Sequence, residues 1–305
     1  MNLSKIILGC EQLGGKDHGY INFNKISKTF KKSLKFGVNS FDSAGIYNLG
    51  QSERNLEKIF KSNISKLEII TKGGLNYKFI NNSKRASVYP QFDEDFLKNN
   101  IKSSCKRLNI KKIPLFLIHY PPTDKKTMIK VCQILEKFKK ENLILNYGFS
   151  NIDYKLFNYA YRKFKIYAVE NSLNLFNYKN QIKNFKNIHP DVKKIAHSVL
   201  AQGMLSGKYS PKSIFLKSDR RHRMDFFSKK NLQKNYKKIL ILNKLAKTFN
   251  TSVPILSLSF LLKSNYVNSL IIGVKNEDQF QQNLSSLNFT VPNCLYKKLL
   301  DITKN

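Results

Sequence analysis

Apolar residues along this chain follow two alternating rhythms. Short runs of apolar and β-branched residues fit strands, and longer stretches with apolar residues three and four apart fit amphipathic helices. Strands are predicted at Ile6 to Gly9, Val38 to Ala44, Leu67 to Thr71, Ile113 to Ile118, Ile144 to Phe149, Ile166 to Val169, Ile195 to Leu200 and Val267 to Val274. Among the helices, Ile26, Phe30 and Leu34 sit four apart, with Gly37 as a stop. Ser52 is placed to cap a helix carrying Leu56, Ile59 and Phe60. Asp93, Glu94 and Asp95 open a helix striped by Leu97, Ile101, Cys105 and Leu108, and Lys106 and Arg107 close it, in keeping with the helix macrodipole. Met128, Cys132, Leu135 and Phe138 mark another helix, and more are expected over 152–164, 239–249, 254–262 and 277–287.

Repeated strand-helix units imply parallel strands with right-handed crossovers. Eight strands favour a closed α/β barrel, the single (β/α)8 TIM barrel with its active site at the C-terminal face, over an open sheet. A length of 305 residues would allow two domains, but barrels of this size are the standing exception. One domain over 1–305 is expected, its core about 4–287 and its C-terminal tail 288–305.

Reactive residues cluster just past the apolar runs. Asp42 ends the second strand, Lys72 the third, His119 the fourth, Ser150 and Asn151 the fifth and Glu170 the sixth; Ser198 lies late in the seventh and Lys275 follows the eighth. In a parallel barrel all of these share the C-terminal mouth. Any one of them alone is more often a cap or a structural hydrogen bonder. A Lys that ends a run of Ile and Thr needs a partner, because a buried unpaired ammonium is costly. Asp42, two strand positions away around the barrel, can be that partner.

Charge changes the picture less than its size suggests. The 54 Lys and Arg against 20 Asp and Glu give a net +34, and only seven of the 54 are Arg. The basic residues are spread thinly, with no run longer than a pair, and the Lys, Asn, Ile and Phe excess follows A/T-rich codons. No nucleic-acid recognition motif is present, so no nucleic-acid partner is expected. The most apolar stretch, Val253 to Leu262, is too short to span a bilayer, so no membrane association is expected. Ile7-Leu8-Gly9-Cys10 looks like a lipoprotein cleavage box but lacks the apolar run that should precede it. The four Cys, at 10, 105, 132 and 294, are scattered; they read as free thiols in a reducing, cytoplasmic setting, and no metal site is expected.

Three motifs carry the chemistry: FDSAGIYNLGQSE (41–53), IITKGG (69–74) and LFLIHYPP (115–122). Together they supply a Tyr, a Lys, a carboxylate to hold the Lys, and a His. At this point the chain resembles the aldo-keto reductases. The match covers the opening LGCEQLGG, the family's FDTAxxYGxGxSE signature, the TK and LIHWP-like segments, then GFSN, AQGMLSGKY and IIGVKNEDQFQQNL, all in order over roughly residues 4 to 287. The resemblance implies a catalytic tetrad of Asp42, Tyr47, Lys72 and His119. Tyr47 would protonate the carbonyl oxygen while a nicotinamide delivers hydride. Lys72 would favour the phenolate of Tyr47, Asp42 would pair with Lys72, and His119 would orient the carbonyl.

The resemblance also implies a cofactor, NADPH with NADH possible. Ser150 and Asn151 match the pair that holds the nicotinamide carboxamide, and Glu170 stands where the family usually has Gln. His197-Ser198-Val199-Leu200 replaces an aromatic-Ser-Pro-Leu segment, so His197, Ser198 and Leu200, with Gly203 beyond, are expected along the cofactor. Lys275 and Asn276 match positions at the 2′-phosphate, Gln279 replaces a frequent Arg, and Gln282 and Asn283 match an adenine-contacting pair. The implied activity is reduction of an aldehyde or ketone of a sugar or small metabolite. A nicotinamide-binding redox sensor or regulatory subunit, like the potassium-channel beta subunits of this family, is the alternative. Segments 74–92, 120–126, 210–228 and the tail after 288 are expected to set specificity. The basic, aromatic segment 74–92 suits either an anionic substrate or, as favoured, a solvated loop. The substrate and the oligomeric state stay open.

Overall fold

Side chains two apart on a strand share a face, and that alternation decides which residues meet inside this fold. The computed structural model of the chain describes residues 1–15, 21–79 and 86–304. Its strands, in chain order, are β1 (Ile6–Gly9), β2 (Ser40–Asp42), β3 (Glu68–Gly73), β4 (Leu75–Phe79), β5 (Ala86–Pro90), β6 (Ile113–Ile118), β7 (Ile144–Ser150), β8 (Ala168–Ser172), β9 (Lys193–His197) and β10 (Ser269–Ile272). Eight of them close into a parallel barrel in the order β1-β2-β3-β6-β7-β8-β9-β10. The ring is sealed where Ile6, Ile7 and Leu8 pair with Leu270, Ile271 and Ile272. This is the (β/α)8 barrel that the alternation predicts.

Ile7, Ile70, Leu115, Leu117, Ala168, Ile195 and Ile271 form one buried cluster. By alternation, Lys72 lies above Ile70, His119 above Leu117, Glu170 above Ala168 and His197 above Ile195. An apolar plug thus fills the barrel and a polar layer caps it. The opposite strand faces pack against the helices, as with Leu8, Phe41 and Ile69 on one side and Phe116, Ile118 and Phe149 on another.

Most helices begin where a short polar side chain caps the turn after a strand. Asn22, Asp93, Asp124, Asp153, Ser228 and Asn276 accept from backbone amides at the starts of Phe23–Ser33, Glu94–Leu108, Lys125–Lys140, Tyr154–Tyr161, Lys229–Thr248 and Glu277–Leu284. The predicted cap at Ser52 is not made. Gly50 precedes the helix Gln51–Phe60, and Ser52 lies inside it with its hydroxyl donating to the Cys10 carbonyl at 2.6 Å. The seventh strand stops at His197 rather than Leu200, because the backbone turns left-handed at Ser198 (φ 54°).

Two other expectations change. Segment 74–92 is not an irregular loop: β4 and β5 pair antiparallel, Leu75 opposite Pro90 through Phe79 opposite Ala86. Residues 80–85 of that segment lie outside the described residues. The tail after 288 holds a helix, Asn293–Lys304, whose Leu295, Leu299 and Ile302 are buried in the main core. Among the described residues no single helix is long and apolar enough to cross a membrane. The apolar helix Val253–Lys263 instead buries Leu256, Leu258, Phe260 and Leu261.

Candidate active site

The polar layer opens into a cleft of about 690 Å³ at the C-terminal mouth. At its floor lies a buried ion pair. Lys72 Nζ donates to both carboxylate oxygens of Asp42, each at 2.6 Å, and to the Ser43 carbonyl at 3.2 Å. Lys72 is 2% exposed and Asp42 3%. β2 and β3 are immediate neighbours, so Asp42 stands one strand from Lys72 rather than two. Glu170 Oε1 lies 3.4 Å from the same ammonium, and the Tyr47 hydroxyl lies 3.5 Å from it. Two carboxylates and a phenol therefore surround one cation.

The electrostatics follow from that count. Burial, then the Glu170 charge, pushes the Asp42 carboxyl up to about 8 against the pull of Lys72. Burial alone would depress Lys72, but Asp42 and Glu170 reverse it and hold the ammonium well above its ordinary value. For Tyr47 the expected direction does not prevail. Lys72 does favour the phenolate, but burial outweighs it, and Asp42, Glu11 and Glu170 add to the upward push. The hydroxyl therefore holds its proton at neutral pH, which is the state a proton donor needs.

His119 stands across from Tyr47, ring edge to face with centroids 5.8 Å apart, and stacks on Tyr120 at 5.2 Å. Its Nδ1 is buried and without a partner. Burial, then the Lys72 charge, lowers its pKa to about 3, so the imidazole is neutral. His197 is likewise pushed down to about 4, by burial first. It bridges Asn151 Oδ1 (3.0 Å, from Nε2) and Ser198 Oγ (3.1 Å, from Nδ1), which fits a proton on Nε2. Asn151 in turn donates to the His119 carbonyl at 3.0 Å and to Ser150 Oγ at 3.1 Å. Ser150 Oγ then donates to Glu170 Oε1 at 3.2 Å, and Ser150 and Glu170 are paired in register across β7 and β8. Close strand approach makes this possible: at Gly148 an added Cβ would stand 2.1 Å from the Ala168 carbonyl.

A second set of residues fixes the first. Glu53, fully buried, accepts from Thr71 Oγ1 at 2.6 Å and from Arg107 Nε. It therefore anchors the strand position next to Lys72. Arg107, expected only to close its helix, also packs on Gly50, where a Cβ would lie 2.4 Å from its side chain and φ is +83°. Only Gly suits both demands. Ser43 Oγ and Ser52 Oγ meet at 2.9 Å, tying the loop that carries Tyr47 back to β1.

The long arm of the cleft runs toward the start of helix Glu277–Leu284. Ser198, Leu200, Gly203, Lys275, Gln279, Gln282 and Asn283 all line it. Asn276 does not. Its side chain caps the helix by accepting from the Gln279 amide at 3.0 Å, a local bond its position after the strand makes easy. Gln279 Oε1 is occupied by the Lys275 amide at 2.9 Å. Sequence reasoning gave no role to Lys208, Arg220 and Arg221, which line the same arm. Arg221 is held by Asp219 (2.9 Å from Nε) and by the Tyr209 hydroxyl. Arg220 bridges to Glu11 and to Gln202, the latter at 2.7 Å. An Arg pair in a chain with seven Arg was the available signal. Of the four segments expected to set specificity, 120–126 lends Tyr120 and 210–228 lends Asp219, Arg220 and Arg221 to the described lining; 74–92 and the tail after 288 lend none.

Residues 5–302 match the profile of the Aldo/keto reductase family. The chain is 21% identical to an NADH-specific methylglyoxal reductase of Escherichia coli, over 95% of this chain and 92% of that protein. It is 23% identical to the aldo-keto reductase YhdN of Bacillus subtilis, over 91% of this chain and 83% of that one. Among solved structures it superposes on a glycerol dehydrogenase from Gluconobacter oxydans with a TM-score of 0.83 at 23% identity, covering 99% of this chain and 92% of the other. An aldo-keto reductase from Bacillus halodurans gives 0.75 at 18% identity, covering 99% and 93%. The structural likeness shows the barrel, and the family match extends through every strand of it.

Proposed function

The chain belongs to the aldo/keto reductase family of NAD(P)H-dependent oxidoreductases, and from that premise we propose that it reduces an aldehyde or ketone of a sugar or small metabolite, with NADPH as cofactor and Tyr47 as proton donor. The observation that carries this reading is the Tyr47 hydroxyl, 3.5 Å from the Lys72 ammonium that Asp42 holds from below. A bound nicotinamide dinucleotide supplies the hydride. Its carboxamide has a fitting set of partners in Ser150, Asn151 and Glu170, and the buried, unpartnered Glu170 Oε2 is a polar atom in need of a donor.

The chain's own residues divide the remaining work. Tyr47 gives its proton to the carbonyl oxygen. Lys72 stabilises the phenolate that remains, and Asp42 keeps the ammonium in place. His119, neutral, offers a ring N–H to the same oxygen without competing for the proton. A panel of carbonyl compounds, offered with NADPH and with NADH and read by loss of reduced-nicotinamide absorbance, tests the proposal. Turnover of at least one compound is expected. Tight cofactor binding with no turnover across the panel would favour the sensor reading instead.

NADPH is proposed over NADH because positive charge gathers at the adenosine end. Lys275 is depressed by burial first and by Arg221 second, and Lys208 lies close enough to contribute. A 2′-phosphate would relieve that repulsion. Lys275→Ala is expected to weaken NADPH binding by about 1–3 kcal/mol, the scale of a hydrogen bond to a charged group, and to leave NADH binding unchanged. Fluorescence titration with each cofactor checks it; equal losses would place Lys275 away from the phosphate. The relative named as NADH-specific makes NADH the alternative cofactor.

A further inference from the structure

We propose that Glu170 makes the cleft discriminate between the redox states of its nicotinamide, favouring the oxidised, positively charged ring over the neutral reduced one. This rests on reading the cleft as a nicotinamide site.

The position of Glu170 is the first ground. Its Oε1 is engaged by Ser150 Oγ at 3.2 Å and lies 3.4 Å from Lys72 Nζ, which is itself 3.5 Å from the Tyr47 hydroxyl. The proton from Tyr47 and the hydride must arrive at the two ends of one carbonyl bond. A ring delivering hydride would therefore have to lie beside Tyr47, in the cleft that Tyr47 and Glu170 both line.

Chemistry is the second ground. A Gln at this position, as in the family pattern, is neutral and can both donate and accept. An ionised Glu only accepts. Its Oε2 is buried with no partner, and a carboxylate oxygen in that state is relieved by a donor or by positive charge. A carboxamide NH₂ serves in either redox state, whereas the ring carries positive charge only when oxidised.

The third ground is local charge. Lys72, Asp42 and Tyr47 interact with Glu170, and His119 and His197 line the same cleft, with Glu11 and Arg220 paired at its rim. Tyr47 and both imidazoles are neutral at neutral pH. Asp42 and Glu170 share one ammonium, and the Asp42 carboxyl is pushed up to about 8 by burial first and by the Glu170 charge second. Replacing Glu170 by Gln would remove one carboxylate from the cleft without changing its shape. Coulomb interaction at a few ångströms in a half-buried site is large enough for a change of about tenfold in relative affinity. For a two-electron couple, tenfold corresponds to about 30 mV. The bound cofactor is made a stronger hydride donor by that amount, and the oxidised form is released more slowly.

The test compares wild type with Glu170→Gln, titrating each with NADP⁺ and with NADPH by calorimetry or fluorescence at neutral pH. Lys72 keeps Asp42 in the variant, and a melting curve checks that the fold is retained. The expected result is a Kd for NADP⁺ that rises about tenfold relative to the Kd for NADPH. Equal changes in both constants, or none, would overturn the proposal and leave the nicotinamide reading standing. Failure of wild type to bind either form would overturn both.

Discussion

Tyr47→Phe is expected to lower the turnover of carbonyl reduction by about 10²–10⁴ while leaving nicotinamide affinity unchanged. The substitution keeps the ring, so its edge contact with His119 and its place over Lys72 survive. It removes the hydroxyl, the proposed proton donor. His119 cannot replace it as an acid, because an imidazole with a pKa near 3 carries no spare proton at neutral pH. For the same reason the pH-rate profile of the wild type should show no limb near 6.5, the ordinary value for His. Steady-state rates from pH 5 to 10, with cofactor titrations alongside, make the measurement. Full turnover in the variant would remove Tyr47 from the donor role.

Lys72→Met should abolish most turnover and also destabilise the fold, by about 3–5 kcal/mol for breaking a buried ion pair. Removing the ammonium takes away the cation 3.5 Å from the Tyr47 hydroxyl, so the upper limb of any residual pH-rate profile moves up. It also leaves Asp42 and Glu170 facing each other in a dry floor. Asp42 holds its proton more tightly folded than unfolded, so its contribution to stability is complete below its unfolded pKa near 4 and falls as pH rises toward about 8. Without Lys72 the fall steepens, because Asp42 then ionises beside Glu170 with no cation between them. Urea unfolding of both proteins between pH 4.5 and 8 should show a stability gap that widens with pH. A constant gap across that window would mean that carboxylate charge is not the origin of the loss.

The barrel was legible because its strands are short, apolar and regularly spaced, and because the residues that follow them are too polar to belong to any core. Asp42, Lys72, His119, Ser150 and Glu170 were readable for the same reason: a closed parallel ring sends every strand end to one mouth. The hairpin of β4 and β5 was not, although Leu75, Tyr77 and Phe79 alternate on one face and pair with Pro90, Val88 and Ala86; that face stays largely in solvent, with Tyr77, Phe79 and Val88 exposed, and the basic residues around it read as a loop. Ser52 looked like a cap because sequence shows a short hydroxyl near a helix start; it cannot show that Cys10 offers a closer carbonyl. The direction of the Tyr47 shift was missed because it depends on a contest between burial and one cation. Arg220 and Arg221 lie in a single short 3-10 turn, Arg220–Arg223, too brief for any periodicity to announce which way a side chain turns.

The seal between β1 and β10 has a consequence for how this molecule is made. On one side β1 pairs early, Leu8 with Phe41, but on the other its partners lie at 270–272, so a nascent chain must wait for nearly its whole length to leave the ribosome before both edges of its first strand are satisfied. Until then β1 offers an open edge, and the arc of strands growing from it offers a second, both able to pair with a neighbouring chain. Pairings so distant in sequence form slowly, because loop closure must come before the contacts that reward it. The floor of the cleft is built from β2, β3 and β8, yet the cleft is closed only at that last step. The chain's long-range closure therefore makes its unfinished barrel the state most exposed to mispairing.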